Sequence, residues 1–537
     1  MTLPFASEEF SEQERDLLRR HFTSLDEPVF ALVNLPEVVK GALFARYSRT
    51  RKSLRRLFLD EFAEQVASAA PDDISDVQVG KAETLYERIF VEYGDDSIAQ
   101  LGGVHLACEQ ASQLLCKVLE WGRLAGYLEQ STRYIPYDDK PGGHWRYLLP
   151  PEIAGSEISS DASEVLDASF ETYSRLLEPM QAFFRERFPK KPEDTDGVYN
   201  STIRAKACDT LRGLLPAATR SNVGIYASGQ SYEQMLIRMR AHPLVEVRDY
   251  AHLMLVELRK VIPAFLTRVD VPDRGVAWSE YLKETRQRAA AIAEKYLGGI
   301  EPGGRGEVTL TDYDPAGEEK VVSAALYAAS ELPEDRLLSL AHSMSAEERR
   351  TVLDAYVGER KNRRHRPGRA FERTSYRFDI LCDYGAFRDL QRHRLLTLEW
   401  QPLSTLHGSV KPREISDAGF DAEWDEAMQR AEALFTEARE HGVGEAASYA
   451  VPMAFRIRFV MQMNAREAMH LIELRSSPQG HPAYRRIAHE MHRLIGEHAG
   501  HRAIAGAMLY VDYSDVDLER LEAERRTEVK RRAITDR

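Results

Sequence analysis

Two stretches far apart in the chain follow one pattern, and this repetition limits the folds open to it more than any other feature. LLPAATRSNVGIYASGQSYEQMLIRMRAHP, from Leu214, runs parallel to YAVPMAFRIRFVMQMNAREAMHLIELRSSP, from Tyr449. Pro216 falls beside Pro452, and Leu236-Ile237-Arg238-Met239-Arg240 beside Leu471-Ile472-Glu473-Leu474-Arg475. A second pair precedes them: Glu120-Trp121-Gly122-Arg123 ends a helical pattern as Gln391-Arg392-His393-Arg394 does. Self-similarity on this scale means two copies of one supersecondary plan. The first half carries extra residues between its two motifs, which an insertion within 135–200 absorbs.

The clearest local signal runs from Arg369 to Arg394. Tyr376, Phe378 and Ile380 alternate with Ser375, Arg377 and Asp379, the period of a strand with one face buried. Cys382-Asp383-Tyr384-Gly385 breaks it, and from Ala386 the apolar spacing moves towards 3.6, so the Arg-His-Arg triplet is expected to ride the end of a helix.

Elsewhere helices dominate. Residues 11–70 read as helical, with a basic middle at Arg46, Arg49, Arg51 and Lys52 that has the character of a solvated helix face. The run 100–128 reads as helix-rich, and 160–190, 230–262 and 280–297 read as amphipathic helices. The Gly-, Pro- and charge-rich segment from Gly298 is the best boundary in the chain, and Val308 to Leu310 opens a fresh strand after it. The tail from Leu518 reads as a charged, solvated helical end. These signals predict an α+β fold: two tandem helix-rich copies, each with a small sheet, related by a pseudo-twofold. The expected division is a helical segment 1–70, a first copy 71–297, a linker 298–307 and a second copy 308–537.

At 537 residues more than one domain is the default. The formal net charge of −13 argues against a protein that coats nucleic acid, so none is expected as partner. Cys108, Cys116, Cys208 and Cys382 form neither a CxxC pair nor a zinc spacing, which suits a reducing compartment. The start, MTLPFASEEFSEQERD, is acidic and lacks the apolar core of a signal peptide, and no run approaches a membrane span. A cytoplasmic protein with no membrane contact is the expectation. His492, His498 and His501 do not share one helical face with a carboxylate, so no metal is expected.

With the motifs in place, the chain resembles the flavin-dependent thymidylate synthases, duplicated and fused. That family carries Arg-His-Arg, then seven residues, then Ser followed by a small residue, Arg and Tyr. Arg392-His393-Arg394 matches the first part, but the count ends on Pro402, and Glu372 is followed by Arg373 where the family has His. In the first half the triplet has become Trp121-Gly122-Arg123, yet the same count lands on Ser131, and Glu129-Gln130-Ser131-Thr132-Arg133-Tyr134 resembles the family's tail. Arg212 before Leu215-Pro216 fits the first half, where the second has Ser448. Asn464-Ala465-Arg466, His470 and Arg475 fit the second, where the first has Gly229, Met235 and Arg240. Each half is broken, and together they hold nearly one full set.

The resemblance implies active sites shared between subunits of a tetramer, so two fused chains would pair as a homodimer that imitates it. It implies a cofactor side made by Arg392, His393, Arg394, Asn464, Arg466 and His470, with Glu399 and Ser375 beside them, binding FAD. It implies a substrate side made by Glu129, Ser131, Thr132, Arg133 and Arg212, binding the phosphate of deoxyuridine monophosphate. Arg475 would lie against the uracil ring as the catalytic residue. NADPH and methylenetetrahydrofolate would be co-substrates in a reductive methylation. Forked guanidinium groups suit such anions, and the cofactor would carry the difficult chemistry. Two other readings remain open from the residues: a related flavoenzyme acting on another pyrimidine nucleotide, and a non-catalytic FAD- or nucleotide-binding scaffold. Taken without context, an Arg-His-Arg triplet complements a helix dipole in solvent, and Ser131-Thr132 ends a helix.

Overall fold

A computed structural model describes residues 8–26, 30–47, 52–61, 63, 100–300, 304–518, 521, 524–526 and 528–529. Two compact units divide it: Met1–Glu109, Leu124–Glu129 and Asn222–Gly299 form the first, and Gln110–Arg123, Gln130–Ser221 and Ile300–Arg537 the second. The second unit thus collects residues from both halves of the sequence.

Seven strands occur among the described residues: β1 (Gly103–Ser112), β2 (Ala125–Glu129), β3 (Arg220–Ser228), β4 (Val308–Tyr313), β5 (Ser375–Asp383), β6 (Thr397–Trp400) and β7 (Arg456–Asn464). The first unit carries most of a three-stranded sheet in the order β1-β3-β2, with Ala125 opposite Ala227 and Glu129 opposite Val223. Helices Gly229–Arg240, Val245–Arg259 and Ala277–Leu297 follow β3.

The second unit holds an antiparallel sheet in the order β4-β5-β7-β6. Tyr376 faces Met463, Phe378 faces Met461 and Ile380 faces Phe459, and all six are buried. Each such side chain stabilises the fold by about 1.5–3 kcal/mol when fully buried. The two Pro segments meet directly: Pro216 and Pro452 form an antiparallel bridge, flanked by Ala217 N–H to Val451 O and Met453 N–H to Leu215 O, both 2.9 Å. Gly213 is needed beside that bridge, since a Cβ there would come within 2.6 Å of the Trp424 ring.

The α+β class, with two small sheets each followed by helices, agrees with the expectation. β3 with helix Gly229–Arg240 repeats the order of β7 with helix Ala465–Arg475. One segment differs. The run 100–128 is β1, a short helix Gln113–Leu119 and β2, repeating the order β5, helix Tyr384–Leu390, β6. Gln110 in β1 takes a left-handed conformation (φ 57°), and this local irregularity breaks the alternation by which a strand is recognised. Helix Tyr384–Leu390 starts two residues before Ala386, because the Asp383 carboxylate accepts from Ala386 N–H at 2.8 Å and caps it. Gln391 is its C-cap, so Arg392-His393-Arg394 lies just past the helix end rather than on it.

Near the N-terminus, helices Glu12–His21, Glu37–Tyr47 and Leu54–Glu61 match the helical expectation. Of its basic middle, Arg49, Arg51 and the Arg46 side chain lie outside the described residues, while Lys52 pairs with Asp60 at 2.8 Å. The tail is tied back rather than solvated at two points, Arg525 to Asp194 (2.7 Å) and Thr195 to Glu528 (3.0 Å). Among the described residues no helix is long and apolar enough to cross a membrane.

Candidate functional site

In the second unit, five loops and helix ends deliver charged side chains to one place, buried except at Arg392. Helix Tyr384–Leu390 carries Asp389 on its last turn, with Arg392 three residues further on. Arg212 follows helix Asp196–Leu211, one turn beyond Asp209. Arg475 ends helix Ala465–Arg475, Arg133 follows β2, and Tyr484 lies on helix Pro482–Arg493.

Asp389 is the hub. Its carboxylate lies 3.5 Å from Arg212 Nη1, 3.5 Å from Arg392 Nη1 and 4.0 Å from Arg475 Nη1. Burial pushes this carboxyl up, and Arg392, Arg212, Arg475 and Arg133 together overcome that, holding it far below the ordinary range. Arg133 itself forks onto Asp209, with Nε to Oδ1 at 2.7 Å and Nη2 to Oδ2 at 2.5 Å, and its Nη1 donates to the Tyr484 hydroxyl at 2.9 Å. Arg388, one residue before the hub, donates to Thr132 Oγ1 at 3.3 Å.

A second constellation touches the first through Arg475. Its Nε–H donates to His393 Nε2 at 3.0 Å, which leaves the imidazole proton on Nδ1, 3.2 Å from Glu467 Oε1. Burial, then Arg475, His470 and Arg366, push His393 well below its ordinary pKa, while burial raises Glu467 to about 7. The contact is therefore a hydrogen bond between near-neutral partners, not an ion pair. His470 stands edge-on to His393 at 5.3 Å between ring centres, and its Nε2 accepts from Arg366 at 3.2 Å. Burial and then Arg366, Arg363, Arg475 and Arg466 bring His470 down to about 4.

His393, Glu467 and His470 offer three ligand atoms within 4.8 Å of one another, a donor set of metal-binding type. Both His393 nitrogens are already bonded, and the positive field that depresses His470 opposes a cation. The same field favours an anion.

The structure brings together Thr132, Arg133, Arg212, Arg392, His393, His470 and Arg475. Ser131 Oγ accepts from Arg133 N–H at 3.2 Å. Asn464 caps its helix by accepting from Glu467 N–H at 2.9 Å, which sets Glu467 and His470 on one face. Arg466 is turned to Pro367 O (2.8 Å) and Glu372 (3.5 Å). Ser375 opens β5 opposite Asn464, Glu399 is exposed on β6, and Arg394 is half-buried beyond the triplet. Glu129 ends β2 in the first unit. Of the other histidines, His492 bonds Ala505 O at 3.0 Å and His501 bonds the Tyr376 hydroxyl at 2.8 Å. Sequence reasoning missed Asp209, Asp389, Glu467, Tyr484 and Arg366. Only Glu467 carried a signal, as the acidic third residue after a capping Asn.

The sequence profile of thymidylate synthase complementing proteins matches residues 44–264 and again 309–499. The chain belongs to this family. A UPF0159 protein of Chlamydia muridarum is 39% identical over 523 residues, spanning 96% of this chain and 98% of its own length. A UPF0159 protein of Thermoplasma acidophilum is 32% identical over 518 residues, 91% of this chain and 99% of its own length. The two UPF0159 proteins thus share this chain's length. Flavin-dependent thymidylate synthase of Clostridium tetani is 24% identical over 194 residues, 36% of this chain and 70% of its own length.

Proposed function

We propose that this family member is a flavin-dependent thymidylate synthase-like enzyme with one composite site made by its two copies, 71–297 and 308–537. The observation that carries the reading is the convergence on Asp389 of Arg133 and Arg212 from the first copy with Arg392 and Arg475 from the second. Each copy has lost the motif that the other keeps, and the kept ones meet.

The donor set fits a flavin dinucleotide: Arg392 and Arg394 are forked cations for a pyrophosphate, and the field of Arg366, Arg363, Arg475 and Arg466 around His470 suits negative charge. Each charge-assisted hydrogen bond contributes about 1.5–3 kcal/mol. FAD, when bound, supplies the hydride, with NADPH as its reductant and methylenetetrahydrofolate as the carbon source. The protein's share is to bind and orient. His393 holds Arg475 by its Nε–H, and Arg475 lies against the pyrimidine and favours its ionised N3 form. Arg133, Ser131, Thr132 and Arg212 take the phosphate of deoxyuridine monophosphate. Two chains associate as a homodimer that imitates a four-copy assembly.

A second reading keeps the flavin side and changes the base. Asp389 already places a permanent negative charge among the arginines, and Asp209 occupies the fork of Arg133, so a phosphate dianion meets competition there. Any pyrimidine nucleotide meets the same competition at its phosphate, so the two readings differ in the base that is modified. Turnover decides between them: deoxyuridine monophosphate, methylenetetrahydrofolate, FAD and NADPH yield thymidylate under the first reading. NADPH-dependent flavin reduction without methylated product moves the assignment to the second.

A further inference from the structure

The run RKNRRHRPGR, Arg360 to Arg369, holds six arginine and lysine residues and no carboxylate, in a chain of net charge −13. It belongs to the loop between helix Ala346–Val357 and the short turn Arg369–Arg373, within the second unit. Like charges in one short segment repel, and such runs commonly stay unfolded. Here one buried guanidinium holds the segment in place. The Arg360 side chain is 2% exposed and forks onto Glu473, Nη1 to Oε1 and Nη2 to Oε2, both at 2.6 Å. The same guanidinium donates to His365 O at 2.6 Å and to Ala507 O at 2.9 Å, and the Tyr510 hydroxyl donates to Arg360 O. The backbone is thus drawn inward, while Lys361, Arg364, His365 and Arg366 are exposed and Arg363 is half-buried.

Glu473 stands on helix Ala465–Arg475, three residues after His470, so the clamp fixes this basic loop against a helix that serves the site. At the loop's inner end Arg366 donates to His470 Nε2 at 3.2 Å, and Pro367 O accepts from Arg466 at 2.8 Å. Among the described residues no carboxylate pairs with Lys361, Arg363, Arg364 or Arg366. The acids nearby in sequence are committed: Glu372 to Arg369 and Arg466, Glu334 to Arg373, and Asp354 to Arg350. Glu359, exposed, is the single acid within 358–368.

A compact phosphate is best held by donors that converge on it, whereas cations strung along an open loop suit charges strung along a chain. We propose that this loop binds the tail of a co-substrate: an extended polycarboxylate chain whose reacting end lies in the site beside His470 and whose successive carboxylates lie along Arg366, Arg364 and Lys361. This rests on methylenetetrahydrofolate as the carbon source, because γ-linked glutamyl residues extend that molecule by one carboxylate each. A nucleic-acid strand fits less well, since the basic surface is one short loop that ends at the site.

Calorimetry on the full chain supplied with FAD, using tetrahydrofolate with one and with five glutamyl residues, tests this in wild type and in the Lys361→Gln, Arg364→Gln double variant. The five-residue form binds the wild type about tenfold tighter than the one-residue form. The double variant loses that preference, while its FAD uptake and its affinity for the one-residue form stay as in wild type. Both substitutions fall on exposed side chains and leave the Arg360–Glu473 clamp in place. Raising the salt from about 0.1 to about 1 M removes the preference in the wild type itself, a readout independent of how the variant folds. Equal affinity for the two forms in the wild type, or a preference that survives the double substitution, overturns the proposal and leaves the folate reading standing. Failure of the wild type to bind either form removes the folate reading and the tail site with it. A single-stranded oligonucleotide held through Lys361 and Arg364 by a chain that does not distinguish the two folates overturns the proposal in favour of a nucleic-acid surface.

Discussion

Arg475 donates from Nε to His393 Nε2 at 3.0 Å, and this one bond settles which nitrogen of a buried imidazole carries the proton. The proton on Nδ1 then goes to Glu467, and the three residues form a relay from a helix N-terminus to the arginine cluster around Asp389.

Removing the acceptor should therefore disturb Arg475 at a distance. Glu467→Gln keeps an oxygen for Nδ1–H and, below pH 4.5 where folded Glu467 is protonated, stays within about 1 kcal/mol of wild type in urea unfolding. Glu467→Leu leaves that donor buried and unpaired and costs about 1–3 kcal/mol. Imidazole nitrogen shifts in NMR should show the Nδ1–H tautomer of His393 in the wild type and in Glu467→Gln. An Nε2–H tautomer in the wild type contradicts the relay.

The Glu467 pKa gives a pH dependence with a definite sign. Its folded value of about 7 lies above the ordinary 4.5, so between the two the folded chain holds the proton more tightly than the unfolded one. Its contribution to stability is full below pH 4.5 and is lost as pH rises through 7, by about 3 kcal/mol across the window. His470, lowered to about 4, acts in the opposite sense and gains as pH rises from 4 to 6.5. Unfolding midpoints of wild type and Glu467→Gln should hence converge at the acid end of the window, with Glu467→Gln gaining ground as pH rises. Parallel pH curves for the two proteins refute this.

Arg133 and Asp209 are a buried pair, so truncating one strands the other. Arg133→Ala should lose about 3–5 kcal/mol because the Asp209 charge is left uncompensated. The double variant Arg133→Met with Asp209→Leu should recover most of it. Guanidinium chloride unfolding of the three proteins measures the coupling. Additive losses in the double variant would mean that the pair contributes nothing beyond its separate side chains.

Much of this was legible in the chain. The alternation of Tyr376, Phe378 and Ile380 gave β5, and the matched Pro216 and Pro452 segments gave the repeat that the structure joins through a bridge. The arginines of the site stood out because they follow a motif. Asp389 and Asp209 did not, since each looks like any acidic residue on a helix, and their meaning lies in contacts between residues far apart in sequence. The strand β1 was hidden for a local reason, the left-handed Gln110 within it.

The central claim is a division of labour, with the cofactor on second-copy residues and the nucleotide phosphate on first-copy residues. Separate titrations with FAD and with deoxyuridine monophosphate on wild type, His393→Ala and the Arg133→Met, Asp209→Leu double variant test it most directly. The account predicts that His393→Ala loses FAD, and that the double variant keeps FAD but loses at least about tenfold in nucleotide affinity. No uptake of FAD by the wild type, or equal loss of both ligands in both folded variants, would contradict it.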